Sequence, residues 1–302
     1  MEIYRTPDSG FDMIGDFAWE PQYTEVPAGD ASQTLRIAHV EAGPHDGAPV
    51  LCMHGEPSWS YLYRHMLPVF ADAGLRGVAP DLVGFGRSDK PVGTGEYTYA
   101  RHVEWMLAWL RALDLGGITL VCQDWGGLVG LRLVTAEPDR FARVVVANTF
   151  LPTGDRHPGD AFLAWRKFSQ ETPKFPVGAI VNMGCTTDLA PEVIAAYDAP
   201  FPEEHAKDGA RAFPLLVPVS PDDPESAPNR GAWEVLRRWH KPFLTAFSDN
   251  DPITRGADTV FRAEVPGAAG MAHTTIEGAG HFVQEDRGPE LARVVVDLVR
   301  ST

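Results

Sequence analysis

Asp124 carries the chemistry that is easiest to read in this sequence. It stands between an apolar run, Ile118-Thr-Leu-Val-Cys122, and a glycine-rich stretch, Trp125-Gly126-Gly127-Leu-Val-Gly130. A strand that ends in a sharp turn and opens directly into a helix lifts the turn residue into the space above the sheet, beside the positive helix N-terminus. The small residues allow helix and strand to approach closely. A serine is the usual nucleophile at such a turn, with Gly two positions before it; here the turn residue is Asp and the earlier position is Cys122. Taken alone, Asp124 reads equally well as a helix cap. Two later segments alter that balance. Phe243-Leu-Thr-Ala-Phe247-Ser248 runs into Asp249-Asn250-Asp251-Pro252, and Ile276-Glu-Gly-Ala-Gly280 runs into His281-Phe282. The order is carboxylate, acid, histidine, each at a strand end, and either Asp249 or Asp251 can serve as the acid. His54-Gly55-Glu56-Pro57, after an earlier strand, is placed to offer a backbone N–H to a developing oxyanion.

These positions need a scaffold of buried strands. Strand-like runs at Pro242–Phe247 and His273–Ile276 accompany four short apolar runs that end close to Gly, Pro, Asp or Asn: Pro49–Met53, Gly77–Ala79, Ile118–Cys122 and Val144–Val146. They suit parallel strands covered on both faces. Arg101 to Leu113 carries Val103, Trp105, Met106, Trp109, Leu110 and Leu113 at helical spacing. Alternation of strand and helix predicts a mostly parallel, doubly wound α/β sheet. The rhythm breaks after Phe150. Residues 151–229 are rich in Pro and acidic side chains, with short helical pieces such as Asp160–Ser169, before strands resume. This predicts a helical cap domain at 151–229 over a core domain of 1–150 and 230–302, lying across the carboxyl ends of the strands. A closing helix is expected over Gly288–Arg300.

Composition narrows the function classes. The chain has 302 residues, 44% hydrophobic and 22% charged, and its 26 Lys+Arg against 41 Asp+Glu give a net charge of −15. Such a field disfavours nucleic acid and anionic membrane surfaces as partners. Three cysteines, Cys52, Cys122 and Cys185, show no metal-ligand or redox spacing, so no metal site is expected. Cys52 and Cys122 read as buried small hydrophobes. The first residues lack a signal-peptide pattern and no run is long enough to span a membrane, so the expected location is cytoplasmic.

Four blocks together resemble the haloalkane dehalogenases of the α/β-hydrolase fold: His54-Gly-Glu-Pro57-Ser-Trp-Ser-Tyr-Leu-Tyr63, Asp81-Leu-Val-Gly84-Phe-Gly-Arg-Ser88-Asp89-Lys90-Pro91, Cys122-Gln-Asp-Trp-Gly-Gly127 and Gly280-His-Phe-Val-Gln-Glu285. In the cap, Ala164-Trp165-Arg166-Lys167 and Ala195-Ala-Tyr197-Asp-Ala-Pro200-Phe201-Pro202 add to the likeness. The similarity is to the subgroup whose triad acid follows the first strand after the cap. It implies Asp124 as nucleophile, His281 as general base, and Asp251 as orienting acid, preferred over Asp249 because it lies three after Ser248. Trp125 and Trp165 would bind halide, Glu56 and Trp125 would supply oxyanion-hole amides, and Phe162 would either line the pocket or serve in packing. The implied reaction converts a small halogenated hydrocarbon and water into alcohol, halide and a proton through a covalent ester, with no cofactor, in a monomer. Epoxide hydrolases share the Asp turn and are the alternative. They activate an alkoxide leaving group with two cap tyrosines, whereas 151–241 holds only Tyr197, and Glu56 stands where they carry Phe. Fluoroacetate dehalogenases place Arg where Trp125 stands, and a serine esterase needs Ser at 124. A hydrolase-fold receptor without turnover would not require the complete set of three.

Overall fold

A computed structural model of the chain describes residues 1–29 and 32–302. In chain order the strands are β1 (Ile3–Tyr4), β2 (Gln22–Pro27), β3 (Thr34–Ala42), β4 (Pro49–Met53), β5 (Arg76–Pro80), β6 (Lys90–Pro91), β7 (Ile118–Gln123), β8 (Phe141–Ala147), β9 (Phe243–Ser248) and β10 (Thr274–Ile276). β1 and β6 form a small antiparallel pair. The other eight make one sheet in the order β10-β9-β8-β7-β4-β5-β3-β2. From β10 to β5 the neighbours are parallel; β3 runs antiparallel to both β5 and β2. All six residues of β7 are buried, which is why its sequence is a continuous apolar run rather than an alternation.

The helices are α1 (Leu67–Asp72), α2 (Tyr99–Leu113), α3 (Trp125–Ala136), α4 (Asp160–Glu171), α5 (Val177–Gly184), α6 (Pro191–Asp198), α7 (Asp208–Leu216), α8 (Ser226–Leu236), α9 (Ala257–Glu264) and α10 (Val283–Ser301). α2 begins where Thr98 caps the Arg101 amide at 3.1 Å, and it turns Val103, Trp105, Met106, Trp109 and Leu110 into the core. α2 packs on α3, while α1 packs on α10, so the sheet is sandwiched between two helical layers. α1 carries the chain from β4 outward to β5. α2 brings it back past β4 to β7. The strand order therefore reverses between β4 and β7, and a crevice opens above their carboxyl ends.

Five helices, α4–α8, lie between β8 and β9. α8 starts within the expected insertion and continues beyond residue 229, packing on α3. α10 starts at Val283, five residues before the expected start, with a non-helical break at Arg287 (φ −144°, ψ 34°) just ahead of Gly288-Pro289.

Candidate active site

β7 delivers Asp124 in a backbone conformation that L-residues seldom adopt, φ 50° and ψ −127°. Four hydrogen bonds hold it there. Its N–H donates to Asn148 O at 2.9 Å, and its carbonyl accepts from the Gly127 amide at 2.9 Å, the Leu128 amide at 3.3 Å and Thr149 Oγ1 at 2.7 Å. The turn works only because glycine stands at two contacts. A Cβ on Gly126 would sit 1.9 Å from Met53 O, and one on Gly55 would sit 2.3 Å from Asp124 Oδ1.

β4 ends beside β7, with Met53 opposite Cys122, and so brings His54–Pro57 over the turn. The Glu56 amide donates to Asp124 Oδ1 at 2.8 Å. His54 fixes this loop: its Nε2 accepts from the Leu82 amide at 2.9 Å, leaving Nδ1 to donate to Gly55 O at 2.9 Å. Complete burial keeps that imidazole below its ordinary pKa and therefore neutral. The Glu56 side chain lies in the same cavity, 5% exposed, and its Oε1 has no protein partner among the described residues. Burial, and then the nearby Asp124 charge, push this carboxyl well above the ordinary range.

The loop after β10 places His281 between two carboxylates. Its Nδ1 lies 3.1 Å from Asp251 Oδ1, off the ideal hydrogen-bond line, and its Nε2 lies 3.6 Å from Asp124 Oδ2. The loop is pinned by the His281 amide on Gly184 O at 2.6 Å and by Asn148 Nδ2 on the carbonyls of Gly280 (2.9 Å) and His281 (3.0 Å). Asp251 is 2% exposed, accepts from the Ile253 amide at 2.9 Å and the Thr254 amide at 3.2 Å, and is also bonded by Thr254 Oγ1. Burial opposes its charge, but His281 and these donors outweigh burial and hold it at about 2. Asp249 is exposed and bonds the Ala279 amide and Asn250 instead.

A cavity of about 1120 Å³ rises from this point between core and inserted helices, lined among others by Glu56, Asp124, Trp125, Phe162, Trp165 and His281. Trp125, the first residue of α3, is held by a stacked Phe213 (4.3 Å, 17°) and an edge-on Tyr99 (5.0 Å). Trp165 is half-buried on α4 beside Phe168 and Phe175. Among the described residues, neither of these indole N–H groups has a protein acceptor. By contrast, Trp59 donates to Ala196 O at 3.2 Å and Trp233 to Leu151 O at 2.8 Å. Tyr197 is fully buried with its hydroxyl on Glu285, and it is not a lining residue of the cavity. Among the described residues there is no group of three His, Cys, Asp or Glu side chains able to hold a metal ion. Among the same residues no helix is long and apolar enough to cross a membrane.

Sequence reasoning assigns Glu56 a catalytic part only through its amide and gives Gln123, Asn148 and Phe213 no role. Gln123 has a visible signal, a polar residue closing an apolar strand. Phe213 has none.

The arrangement is a carboxylate with one oxygen on an amide, a histidine–carboxylate pair behind it, and unclaimed N–H donors across an apolar space. Comparisons with known proteins give the family of the chain. Residues 48–288 match the family model for the alpha/beta hydrolase fold. A haloalkane dehalogenase of Psychrobacter cryohalolentis is 54% identical over 299 residues, 99% of this chain and 98% of the relative. Haloalkane dehalogenase 1 of Mycobacterium tuberculosis is 50% identical over 302 residues, covering all of both. Among solved structures, a tetrameric haloalkane dehalogenase, DpaA from Paraglaciecola agarilytica, superposes with a TM-score of 0.90 at 36% identity, covering 97% of each chain.

Proposed function

The chain belongs to the haloalkane dehalogenases of the α/β-hydrolase fold, and on that premise we propose that it cleaves carbon–halogen bonds by direct attack of the Asp124 carboxylate on carbon. The observation that carries this reading is the division of labour at Asp124. Oδ1 is bound by the Glu56 amide, which leaves Oδ2 for the cavity and His281.

In the first step Oδ2 forms a bond to an sp³ carbon, and the carbon–halogen pair leaves as halide. Halide is a stable anion and needs no proton, only N–H donors in an apolar site, a role we assign to the indoles of Trp125 and Trp165. The product is an alkyl ester on Asp124. In the second step water gives a proton to His281 Nε2 while its oxygen bonds to Asp124 Cγ. Negative charge then gathers on Oδ1, where the Glu56 amide already points; the Trp125 amide, at the start of α3, is the second donor we assign. Collapse expels the alkoxide, which takes the proton from His281, and the restored Asp124 carboxyl releases one proton to solvent. Asp251 orients the imidazole and balances its charge. Phe162 lines the substrate space. The reaction so written uses no cofactor.

We assign 151–229 as the cap domain, with 1–150 and 230–302 as the core, a cytoplasmic location, and activity as a monomer on a small halogenated hydrocarbon without nucleic acid or membrane. The siting of Tyr197 away from the cavity favours halide over alkoxide as leaving group, since no cap phenol reaches the substrate to protonate one. Incubation of the pure protein with 1,2-dibromoethane, 1-bromobutane and styrene oxide tests the function. Halide release from the first two with no diol from the third is expected; diol without halide would contradict it.

A further inference from the structure

Gln123, the last residue of β7, is fully buried, and its amide nitrogen makes two contacts to one residue: 3.0 Å to His281 Nε2 and 3.2 Å to the His281 backbone carbonyl. The carbonyl oxygen can only accept, so the amide must present its NH₂ to this corner. Exchanging its oxygen and nitrogen would set two oxygens against each other. The other N–H then points at His281 Nε2, a contact that is a hydrogen bond only when that nitrogen carries a lone pair. Because Asp124 Oδ2 is 3.6 Å from the same nitrogen, beyond hydrogen-bond range, the Gln123 contact is the shorter of the two.

We propose that Gln123 is a positioning residue that disfavours a proton on His281 Nε2, so that in the alkyl-enzyme the imidazole keeps its proton on Nδ1 and offers the Nε2 lone pair to the hydrolytic water. The proposal rests on the assignment of His281 as general base.

The surroundings explain why such a group is needed. His281 faces Asp251 at Nδ1 and Asp124 at Nε2, with the Glu56 carboxyl across the cavity, Cys185 lining the same space, and Asp286 of α10 on the Gly280 amide. Burial opposes charge on the imidazole, but Asp251 and Asp124 override it and push His281 up to about 10. Ester formation then neutralises Asp124 and removes one of these two attractions. Gln123 continues to disfavour a proton on Nε2, at the stage when the lone pair is required. When water takes its place at Nε2, the amide keeps its bond to the His281 carbonyl, so its own position is retained.

The test separates the two chemical steps. With enzyme in excess, alkylation is followed by halide release and ester hydrolysis by alcohol release, across pH 5 to 10, for the wild type, Gln123→Leu and Gln123→Glu. Both substitutions nearly preserve volume. Leu removes the donor, whereas Glu replaces it by an anion that favours the imidazolium. Hydrolysis requires neutral His281, so its rate rises with pH through the imidazole pKa of the alkyl-enzyme. That limb should move up by about one pH unit in Gln123→Leu and further in Gln123→Glu. Hydrolysis near neutral pH should slow about tenfold or more, and alkylation much less. A limb at the same pH in either folded variant, with the rate lowered uniformly at every pH, would leave Gln123 a packing role and overturn the proposal. If the wild type gives no halide burst and no ester, the failure lies instead with the assignments of Asp124 and His281.

Discussion

Trp125 and Trp165 differ from Trp59 and Trp233 in having no protein acceptor for the indole N–H, and both line the cavity above Asp124. A hydrogen bond to an ion contributes about 1.5–3 kcal/mol, so Trp165→Phe should weaken halide binding at least about tenfold. Chlorinated substrates should slow more than brominated ones, because the poorer leaving group needs more stabilisation in the transition state. Fluorescence quenching by halide and paired rates on 1-chlorobutane and 1-bromobutane measure both effects. The two acids behind His281 make an equally sharp pair. Asp251→Ala should slow ester hydrolysis by about a hundredfold or more, while Asp249→Ala changes it by less than about threefold, since only Asp251 touches the ring. There is a pH consequence as well. Asp251 is depressed from 3.8 to about 2 in the folded protein, so its contribution to stability is complete above 3.8 and is lost as pH falls through about 2. Acid unfolding of Asp251→Asn should therefore be flatter than wild type across that window. Asp124 and His281 are legible in the sequence because each follows a recognisable strand. The burial of the Glu56 carboxyl and the contact of Gln123 are not, because both depend on segments remote in the chain.

Among the elements, the junction of β4 and β7 determines the site, since reversal of strand order there brings the Glu56 amide over Asp124. Its tolerance for added volume is correspondingly small. Gly126→Ala would drive a methyl group into Met53 O and should cost at least about 2 kcal/mol in urea unfolding, with activity lost. Gly231, inside α8, has nothing within 4 Å of the same added carbon, so Gly231→Ala should be neutral or raise stability by up to about 1 kcal/mol. The inner strands β4, β5 and β7 to β9 are evident from sequence because burial on both faces demands continuous apolar runs. β10, at the sheet edge with Thr275 exposed, shows only a short strand-like run. β2 and β3 are not evident. Residues such as Tyr23, Thr24, Glu25 and Arg36 face water or the sheet margin, and the resulting mixed pattern falls outside a search for apolar runs. The start of α10 is obscured for a different reason. Its first turn is separated from the remainder by the break at Arg287, and Gly288-Pro289 imitates a helix beginning.

At the scale of the whole molecule, one chain supplies the three assigned catalytic side chains, both indoles and the cavity that joins them, so nothing in the chemistry calls for a second copy. Light scattering should give a mass near 33.0 kDa, and fourfold that value would overturn the monomer assignment. The central claim is that a whole turnover passes through an ester on Asp124, and a first turnover in ¹⁸O-water addresses it. With enzyme in excess over substrate, attack by Asp124 on carbon makes the alcohol oxygen come from the protein. The alcohol should then be unlabelled, and the peptide containing Asp124 should gain the heavy oxygen. Alcohol labelled in that first turnover, with the Asp124 peptide left light, would mean that water attacks carbon directly and would contradict the account.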